Sequence, residues 1–328
     1  MRILMNYKRF IVAAALILHA ALMCHSAVAA NSEGQKTVAE AKFLLDTYYG
    51  NGGNLQRASV LLNKALARSE RDAEAYIQAA RLTVMGGHID REDDRTNTAD
   101  AYHALLDKAL AIDPRNQKAH ILKAEAYDLQ KDYRREVAEL DKAKAYGESD
   151  PWLWMGYARF SERFDDHMSA YHFYSKVEAL GPGTSLEHRR AYVYALDHLA
   201  DFGPAPGEPF RLKELANTAR RERHPTDAWT LGNFAEKFVY HGMFDDAIVF
   251  SREALQTMNY GAARLTLAAA LYGKAALLIV EGKQRGDADR LISEAQKLGL
   301  NRSDILARLE DSGPQADRLM PTFRQIVK

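Results

Sequence analysis

The chain has 328 residues, of which 47% are hydrophobic and 27% are charged, as in an ordinary folded, water-soluble protein. Its 44 basic and 44 acidic residues cancel. This balance argues against nucleic acid and anionic membrane surfaces as partners, because both are bound by clustered, uncompensated Lys and Arg. The first thirty residues contain three basic residues and no acidic one, so the remainder carries a net charge of −3.

Residues 1–30 have the three-part pattern of a secretory signal peptide. A basic leader precedes an apolar run at 10–23, and small residues follow at 27–30. The run is shorter than the roughly 20 residues that a membrane-spanning helix needs. We therefore expect an exported protein, periplasmic if the host is Gram-negative. The alternative is an uncleaved N-terminal anchor, in which case this segment makes the membrane contact.

The single cysteine, Cys24, lies inside the predicted signal peptide. A lipoprotein signal would need a small residue before the cysteine, where this chain has Met23, so lipid attachment is the less favoured alternative. Without Cys24 the mature chain has no thiol, which excludes disulfides and thiolate chemistry.

Two series of small residues recur along the chain at spacings of 33–35 residues, with longer gaps where the sequence carries insertions. Small residues allow close helix packing, while larger apolar residues fill the space towards the next repeat. The first series is Ala80, Ala124, Ala158, Ala191, Ala235 and Ala269, and the second is Ala65, Ala109, Ala143, Val177, Ala219, Ala254 and Ala295.

The best repeats resemble tetratricopeptide repeat (TPR) units. The residues that carry the resemblance are Trp154, Ala158, Ala170, Tyr174, Val177 and Pro182 in one segment, and Ala235, Gly242, Phe244, Ala247 and Ala254 in another. The resemblance implies an all-α fold, a right-handed α-solenoid of about seven TPR-like helix pairs. The expected units are 39–72, 73–116, 117–150, 151–184, 185–226, 227–261 and 262–300, followed by a C-terminal helical cap at 301–328 that covers the last apolar face.

Several features depart from this pattern along the chain. Asp46 and Glu136 stand where small residues are expected. Insertions at 86–98 and 203–210 lengthen two units, and the second is rich in Pro and Gly, which disfavour regular helix. The apolar stretch 267–280 contains Gly273 and Lys274 and is expected to be a buried helix.

The C-terminal cap is expected to form two short helices, at 303–310 and 316–327. Gly313 and Pro314 lie between them, and Pro321 is expected to interrupt the second.

No motif for enzyme chemistry occurs in the chain. Serine-nucleophile elbows, phosphate loops and paired zinc-binding histidines are missing from the sequence. Asp165, Asp166, His167 and His172 lie close together, but His167 and His172 are five residues apart and do not share a helical face. We therefore expect a protein that is not an enzyme and has no cofactor and no bound metal.

The first helices of TPR units line a concave groove that binds peptides or helices. The resemblance places five candidate partner-binding residues there: Trp152, Met155, Arg159, Trp229 and Tyr240. The competing interpretation is that the tryptophans are interior. TPR domains that clamp a terminal carboxylate use a first-helix lysine, and Met155 occupies one such position, which argues against that mode.

The sequence thus favours a non-catalytic interaction adaptor or scaffold in the cell envelope, whose partner is another protein. The alternative is a TPR-containing enzyme or enzyme regulator with a site in the divergent units five or seven. A scaffold that joins copies of itself is a third possibility.

Overall fold

A computed structural model describes residues 33–87, 95–202, 210–283, 285–310, 313 and 316–327. The described residues form sixteen α-helices and no β-strand, so the all-α prediction is confirmed. They divide into two compact units, Met1–Tyr146 (unit 1) and Gly147–Lys328 (unit 2). The predicted signal peptide and most of both insertions lie outside the described residues.

Unit 1 consists of successive helices that pack against their neighbours along the chain. Apolar side chains of α1 and α2 form one cluster, and those of α3, α4 and α5 form another. The helices are α1 (33–46), α2 (Gly52–Arg68), α3 (Ala73–Gly87), α4 (Arg95–Ile112), α5 (Gln117–Leu129) and α6 (Tyr133–Ala145).

The unexpected Asp46 at the end of α1 is part of a buried polar network. Its carboxylate pairs with Arg81 of α3 at 2.8 Å and with Lys42 at 3.2 Å. Gln78 accepts a second hydrogen bond from Arg81, also at 2.8 Å. A buried charge requires such partners, so Asp46 replaces a small residue without leaving an unpaired group.

Unit 2 begins with six helices that pack in the order of the sequence, and a long helix follows them. These are α7 (Pro151–Arg163), α8 (His167–Leu180), α9 (Leu186–Leu199), α10 (Leu212–Glu222), α11 (Trp229–Tyr240), α12 (Phe244–Thr257) and α13 (Gly261–Val280). Three more helices complete the unit: α14 (Arg285–Lys297), α15 (Arg302–Glu310) and α16 (Ala316–Ile326).

Short polar side chains begin several of these helices. Asp150 accepts a hydrogen bond from the Trp152 amide at the start of α7, and Asp166 accepts one from the Ser169 amide at the start of α8. Ser185 does the same for α9. These caps satisfy backbone donors that have no partner within the helix, and they fix where α7, α8 and α9 start.

Both series of small residues are buried throughout, as close packing of the helices requires. Every member of the first series is at most 2% exposed, and every member of the second at most 3%. In each repeat of unit 2, the odd-numbered helix carries the first series and the even-numbered helix the second. We call α7, α9, α11 and α13 the first helices of unit 2, and their side away from the second helices the first-helix face.

Helix α13 is long and apolar enough to cross a membrane by length and composition, and is the only such helix among the described residues. Most of it is buried inside unit 2. A Cβ atom at Gly273 would overlap the ring of Phe244 on α12, so the two helices meet closely at this point. The contacts therefore agree with the expected buried helix.

The expectation that Pro321 interrupts the last helix is wrong. Helix α16 runs through this proline from Ala316 to Ile326. A proline removes one backbone hydrogen bond. Leu319 and Phe323 on either side of it are fully buried, and this packing holds the helix together.

Candidate binding surface on unit 2

Helix α11 presents a row of four exposed side chains on the first-helix face. Trp229, Asn233, Glu236 and Tyr240 follow each other at spacings of four, three and four residues, which places them on one side of a helix. Trp229 is 44% exposed and Tyr240 is 52% exposed. The other residues of α11 are buried or half-buried, so this row, which we call the α11 row, is what the helix offers to a partner.

At the N-terminal end of the row, Trp229 packs on the aromatic ring of Tyr260. The ring centroids are 4.6 Å apart, and the Tyr260 hydroxyl donates to the carbonyl of Ala228 at 3.3 Å. A Cβ atom at Gly232 would overlap that hydroxyl, so glycine makes this contact possible. Burial, reinforced by Asp227, raises the pKa of Tyr260 to about 12. The hydroxyl therefore stays protonated, and one face of Trp229 is fixed.

The C-terminal end of the row opens into a cavity of about 500 Å³. The end of α9, one side of α11 and one residue of α15 form its walls. The lining residues are Ala200, Asp201, Asn233, Glu236, Lys237, Val239, Tyr240, His241 and Arg308.

The charged groups of this cavity are arranged in two sets. Lys237 pairs with Asp197 at 3.2 Å and with Asp201 at 2.7 Å. Burial alone would lower the pKa of Lys237, but these two carboxylates outweigh it and hold the pKa above its usual value. Arg308 pairs with Glu236. Lys237 is therefore held in its charged form, and both basic groups pair with acidic side chains.

The acids of the cavity are more open to solvent than the bases. The side chains of Asp201 and Glu236 are 55% and 49% exposed, whereas that of Lys237 is 16% exposed. Arg308 lies between these values. A molecule that enters the cavity thus meets carboxylates first, together with the exposed Tyr240.

Trp152 has a different environment from Trp229. It is half-buried, its indole Nε1 donates to the Glu187 carbonyl at 3.2 Å, and its ring meets Tyr194 edge-on at 6.3 Å. Both contacts are with α9 or the residues at its start. Trp152 therefore joins consecutive first helices, with only part of its ring available to a partner.

Met155 is 2% exposed, so its assignment to a partner-binding surface is wrong in this structure. Helix α7 is buried or half-buried all round, so the sequence pattern around Met155 does not distinguish the groove side of α7 from the side that packs inside the unit. Arg159 is half-buried, and its charge acts on Glu162. Burial raises the pKa of Glu162, but hydrogen bonds from His198 and Tyr174 outweigh it and lower that pKa.

The five predicted residues therefore do not form one contact cluster. Trp229 and Tyr240 lie at the two ends of the α11 row, while Trp152, Met155 and Arg159 belong to α7. Helix α9 lies between α7 and α11 and packs on both.

The sequence interpretation missed Asp201, Lys237 and Arg308. The spacing of Asn233 from Trp229 and Tyr240 could have placed it in the row, but nothing local to Arg308 indicates that it reaches α11.

The aspartates and histidines near the start of α8 have structural roles. Asp166 caps the helix, and the His167 ring meets Phe202 at 6.2 Å. Within the described ranges, no group of three or more His, Cys, Asp or Glu side chains is placed to hold a metal ion.

Comparisons with known proteins identify the fold only. No protein-family model matches the sequence, and no curated protein matches it. Among solved structures, IFIT1 as a monomeric mutant with Gppp-AAAA is similar over 89% of this chain and 64% of its own, with a TM-score of 0.50 and 15% identity. At this identity the likeness concerns the fold alone.

Two further structures are similar with lower scores. A tetratricopeptide repeat protein from Parabacteroides merdae has a TM-score of 0.37 at 12% identity, over 86% of this chain and 99% of its own. PilF from Pseudomonas aeruginosa has a TM-score of 0.39 at 15% identity, over 82% and 93%.

Proposed function

We propose that this chain, which has the tetratricopeptide-repeat fold, is a non-catalytic adaptor that binds another protein on the first-helix face of unit 2. The partner contacts the α11 row and enters the cavity beside Tyr240. A peptide or helix segment of the partner fits such a surface, because a bound helix contacts its groove through side chains spaced along one face.

The observation that carries this proposal is the α11 row itself. A helix that is otherwise buried or half-buried exposes a tryptophan and a tyrosine about three turns apart. Aromatic side chains supply much of the energy at protein interfaces. Glu236 and Asn233 between them can provide the polar contacts that fix orientation.

The state of the charged groups also favours binding over catalysis. Lys237, the most buried charged group of the cavity, is held in its charged form by two carboxylates. A general base or nucleophilic amine would need a pKa near neutrality. The polar groups of the cavity are thus better suited to orient a partner than to transfer a proton.

We also propose that the adaptor acts outside the cytoplasm. The motivation is the signal-like pattern of residues 1–30. In a Gram-negative host this places the partner in the cell envelope.

Site-specific photo-crosslinking in the native host tests the proposal. A photoreactive p-benzoylphenylalanine at Tyr240 should crosslink one defined protein, and the same group at Val249 should not. Val249 is a matched control because it is 49% exposed on α12, a second helix of the same repeat.

An alanine variant of Trp229 completes this test. Trp229→Ala in the Tyr240 crosslinking chain should reduce the product by about tenfold, as expected for an interface anchor of roughly 1.4 kcal/mol or more. Equal crosslinking from Tyr240 and Val249, or none from either, would overturn the proposed surface.

A further inference from the structure

The last two helices do not continue the repeat. In the preceding repeats of unit 2, each second helix packs against the first helix that follows it, as α8 packs on α9 and α12 on α13. Helices α15 and α16 instead pack on α13 and on each other, with no comparable contact to α14. Helices α15 and α16 therefore lie on the first-helix side of the unit.

Three positions on α13 that correspond to exposed positions of α11 are buried. Counting 34 residues forward from Trp229, Asn233 and Glu236 gives Ala263, Leu267 and Ala270, all of which are buried. Helices α15 and α16 are the elements that pack on α13 besides its repeat neighbours. One stretch of the first-helix face thus already holds a helix of this chain.

Helix α15 and the glycine that follows it also contact α11. Arg308 of α15 pairs with Glu236, 72 residues away along the chain. After α15, Gly313 lies against the end of α11, where an added Cβ atom would stand 2.5 Å from the Tyr240 carbonyl oxygen. With a φ of 55°, Gly313 also has a backbone conformation that favours glycine.

The buried side of α15, which packs on α13 and α16, carries a short pattern of side chains. Ile305 and Leu309 are buried, and Arg308 between them points to Glu236. The three lie at positions i, i+3 and i+4, so they share one side of the helix. A helix held on the first-helix side of unit 2 thus combines a buried apolar pair with an arginine that pairs with Glu236 of α11.

We infer that the partner contributes a helix with this pattern, two apolar residues four positions apart and an arginine next to the second. The partner helix takes the place of α15 on α13, and its arginine replaces Arg308 at Glu236 of α11. This inference rests on the proposed function, since it names the kind of partner that binds the α11 row.

Charge and exposure support the exchange. Glu236 keeps about half of its side chain exposed while paired, and the neighbouring Asp201 is similarly open. Partly exposed ion pairs stabilise a fold only weakly, so the Arg308 contact can be replaced at little cost. The open carboxylates favour a basic partner helix over an acidic one.

Binding of a synthetic helix to the full chain tests this inference. The probe is a hydrocarbon-stapled, fluorescent peptide with the sequence of residues 301–312, measured by fluorescence anisotropy. In the parent chain α15 competes with it. Arg308→Ala in the chain should therefore tighten binding by about threefold, the effect of removing one partly exposed charge pair.

Gly313→Ala is a second, independent way to weaken the contact of α15 and Gly313 with α11. The added methyl group presses on the Tyr240 carbonyl and should lift the turn away from α11, so it should also tighten binding of the peptide. Arg318→Ala is the matched control. Arg318 is exposed on α16 of the same segment, and its replacement should leave binding unchanged.

Exchanging the two charges tests whether Glu236 is the residue that pairs with the arginine of the peptide. Glu236→Arg in the Arg308→Ala chain should weaken the parent peptide about tenfold or more, and a peptide with Arg308→Glu should regain that loss. Glu236 is half exposed, so the variant should fold, which thermal melting checks. Equal binding of both peptides to both chains, or dimers formed by exchange of 302–326 between two copies, would overturn the inference.

The two proposals can fail separately. If the peptide binds as the charge exchange predicts while Tyr240 crosslinks no protein in the host, that result contradicts the proposed adaptor function. A crosslinked partner whose yield is unchanged by Glu236→Arg leaves the adaptor in place and removes the inferred arginine-bearing helix.

Discussion

Trp152 and Trp229 begin two first helices of unit 2 and differ in what they contact. Trp152 donates a hydrogen bond to Glu187 and meets Tyr194, whereas Trp229 rests on Tyr260 and is 44% exposed. The first links two repeats and the second faces solvent. The same residue type at the start of similar helices therefore contributes to stability in one case and is available for binding in the other.

We expect Trp152→Ala to lower the free energy of unfolding by roughly 3 kcal/mol, since it removes a large packed ring and a hydrogen bond. Trp229→Ala should cost about 1 kcal/mol, the order of one aromatic contact. Chemical denaturation of both variants measures the difference. If Trp229→Ala proved the more damaging, the assignment of Trp229 to the binding surface would be wrong.

A second prediction at the residue scale concerns the buried pair of Asp46 and Arg81. Asp46→Ala leaves Arg81 buried without its carboxylate and should destabilise unit 1 by about 3–5 kcal/mol. Arg57→Ala is the control, because Arg57 and Glu40 form an exposed pair in the same unit, and it should cost less than about 1 kcal/mol. Urea denaturation compares the two.

Replacing both partners of the buried pair separates charge from packing. Asp46→Ala combined with Arg81→Met should recover part of the lost stability, because no unpaired charge remains. A double variant as unstable as Asp46→Ala alone would mean that lost packing, and not the unpaired arginine, causes the effect.

At the scale of the helix, the distance to the neighbouring helix determines how a glycine substitution changes stability. Gly273 on α13 lies against the Phe244 ring of α12, while Gly286 on α14 has open space around it. In both cases alanine is the better helix former, by roughly 1 kcal/mol. Propensity alone therefore predicts that both substitutions stabilise the protein.

We expect the two glycines to respond in opposite directions. Gly273→Ala should destabilise unit 2 by about 1–2 kcal/mol, since the forced shift of Phe244 outweighs the gain in propensity. Gly286→Ala should leave stability unchanged or raise it by about 0.5 kcal/mol. Thermal melting of the two variants beside the parent measures both effects, and equal shifts would contradict the close contact of α12 with α13.

At the scale of the whole molecule, the decisive prediction concerns export. If residues 1–30 are a signal peptide, the mature chain begins at Ala30 or Asn31 and is found outside the cytoplasm. N-terminal sequencing of the protein purified from its own host, after cell fractionation, measures both. An intact Met1 on a cytoplasmic species would exclude export, and an intact Met1 in the membrane fraction would favour the N-terminal anchor.

The sequence predicted the repeat fold in detail because the signal for it is local and repeated. Ala158 and Ala254 could be identified as buried from the spacing of small residues alone, since a helix contact that recurs every 33–35 residues requires a small residue each time. Asp150, which caps α7, and Pro151 in its first turn are a further local signal of this kind. These features depend on a few neighbouring residues and on their recurrence.

The binding surface was only half predictable for the opposite reason. Tyr240 and Trp229 were identified as surface residues of a first helix, but Met155 was placed on the same surface and is buried. One turn of a helix contains residues that face a partner beside residues that face the next repeat. The hydrophobic pattern of α7 does not distinguish them, because its residues are buried or half-buried all round.

By itself, the sequence determined that this protein is a helical repeat with a buried small-residue register, since periodicity survives whatever the helices later contact. The tertiary structure alone decided that α15 and α16 lie on the first-helix side of unit 2 and that Arg308 pairs with Glu236. It also decided that Lys237 is held between Asp197 and Asp201. Such pairs join residues tens of positions apart, and their geometry exists only once the intervening helices have packed.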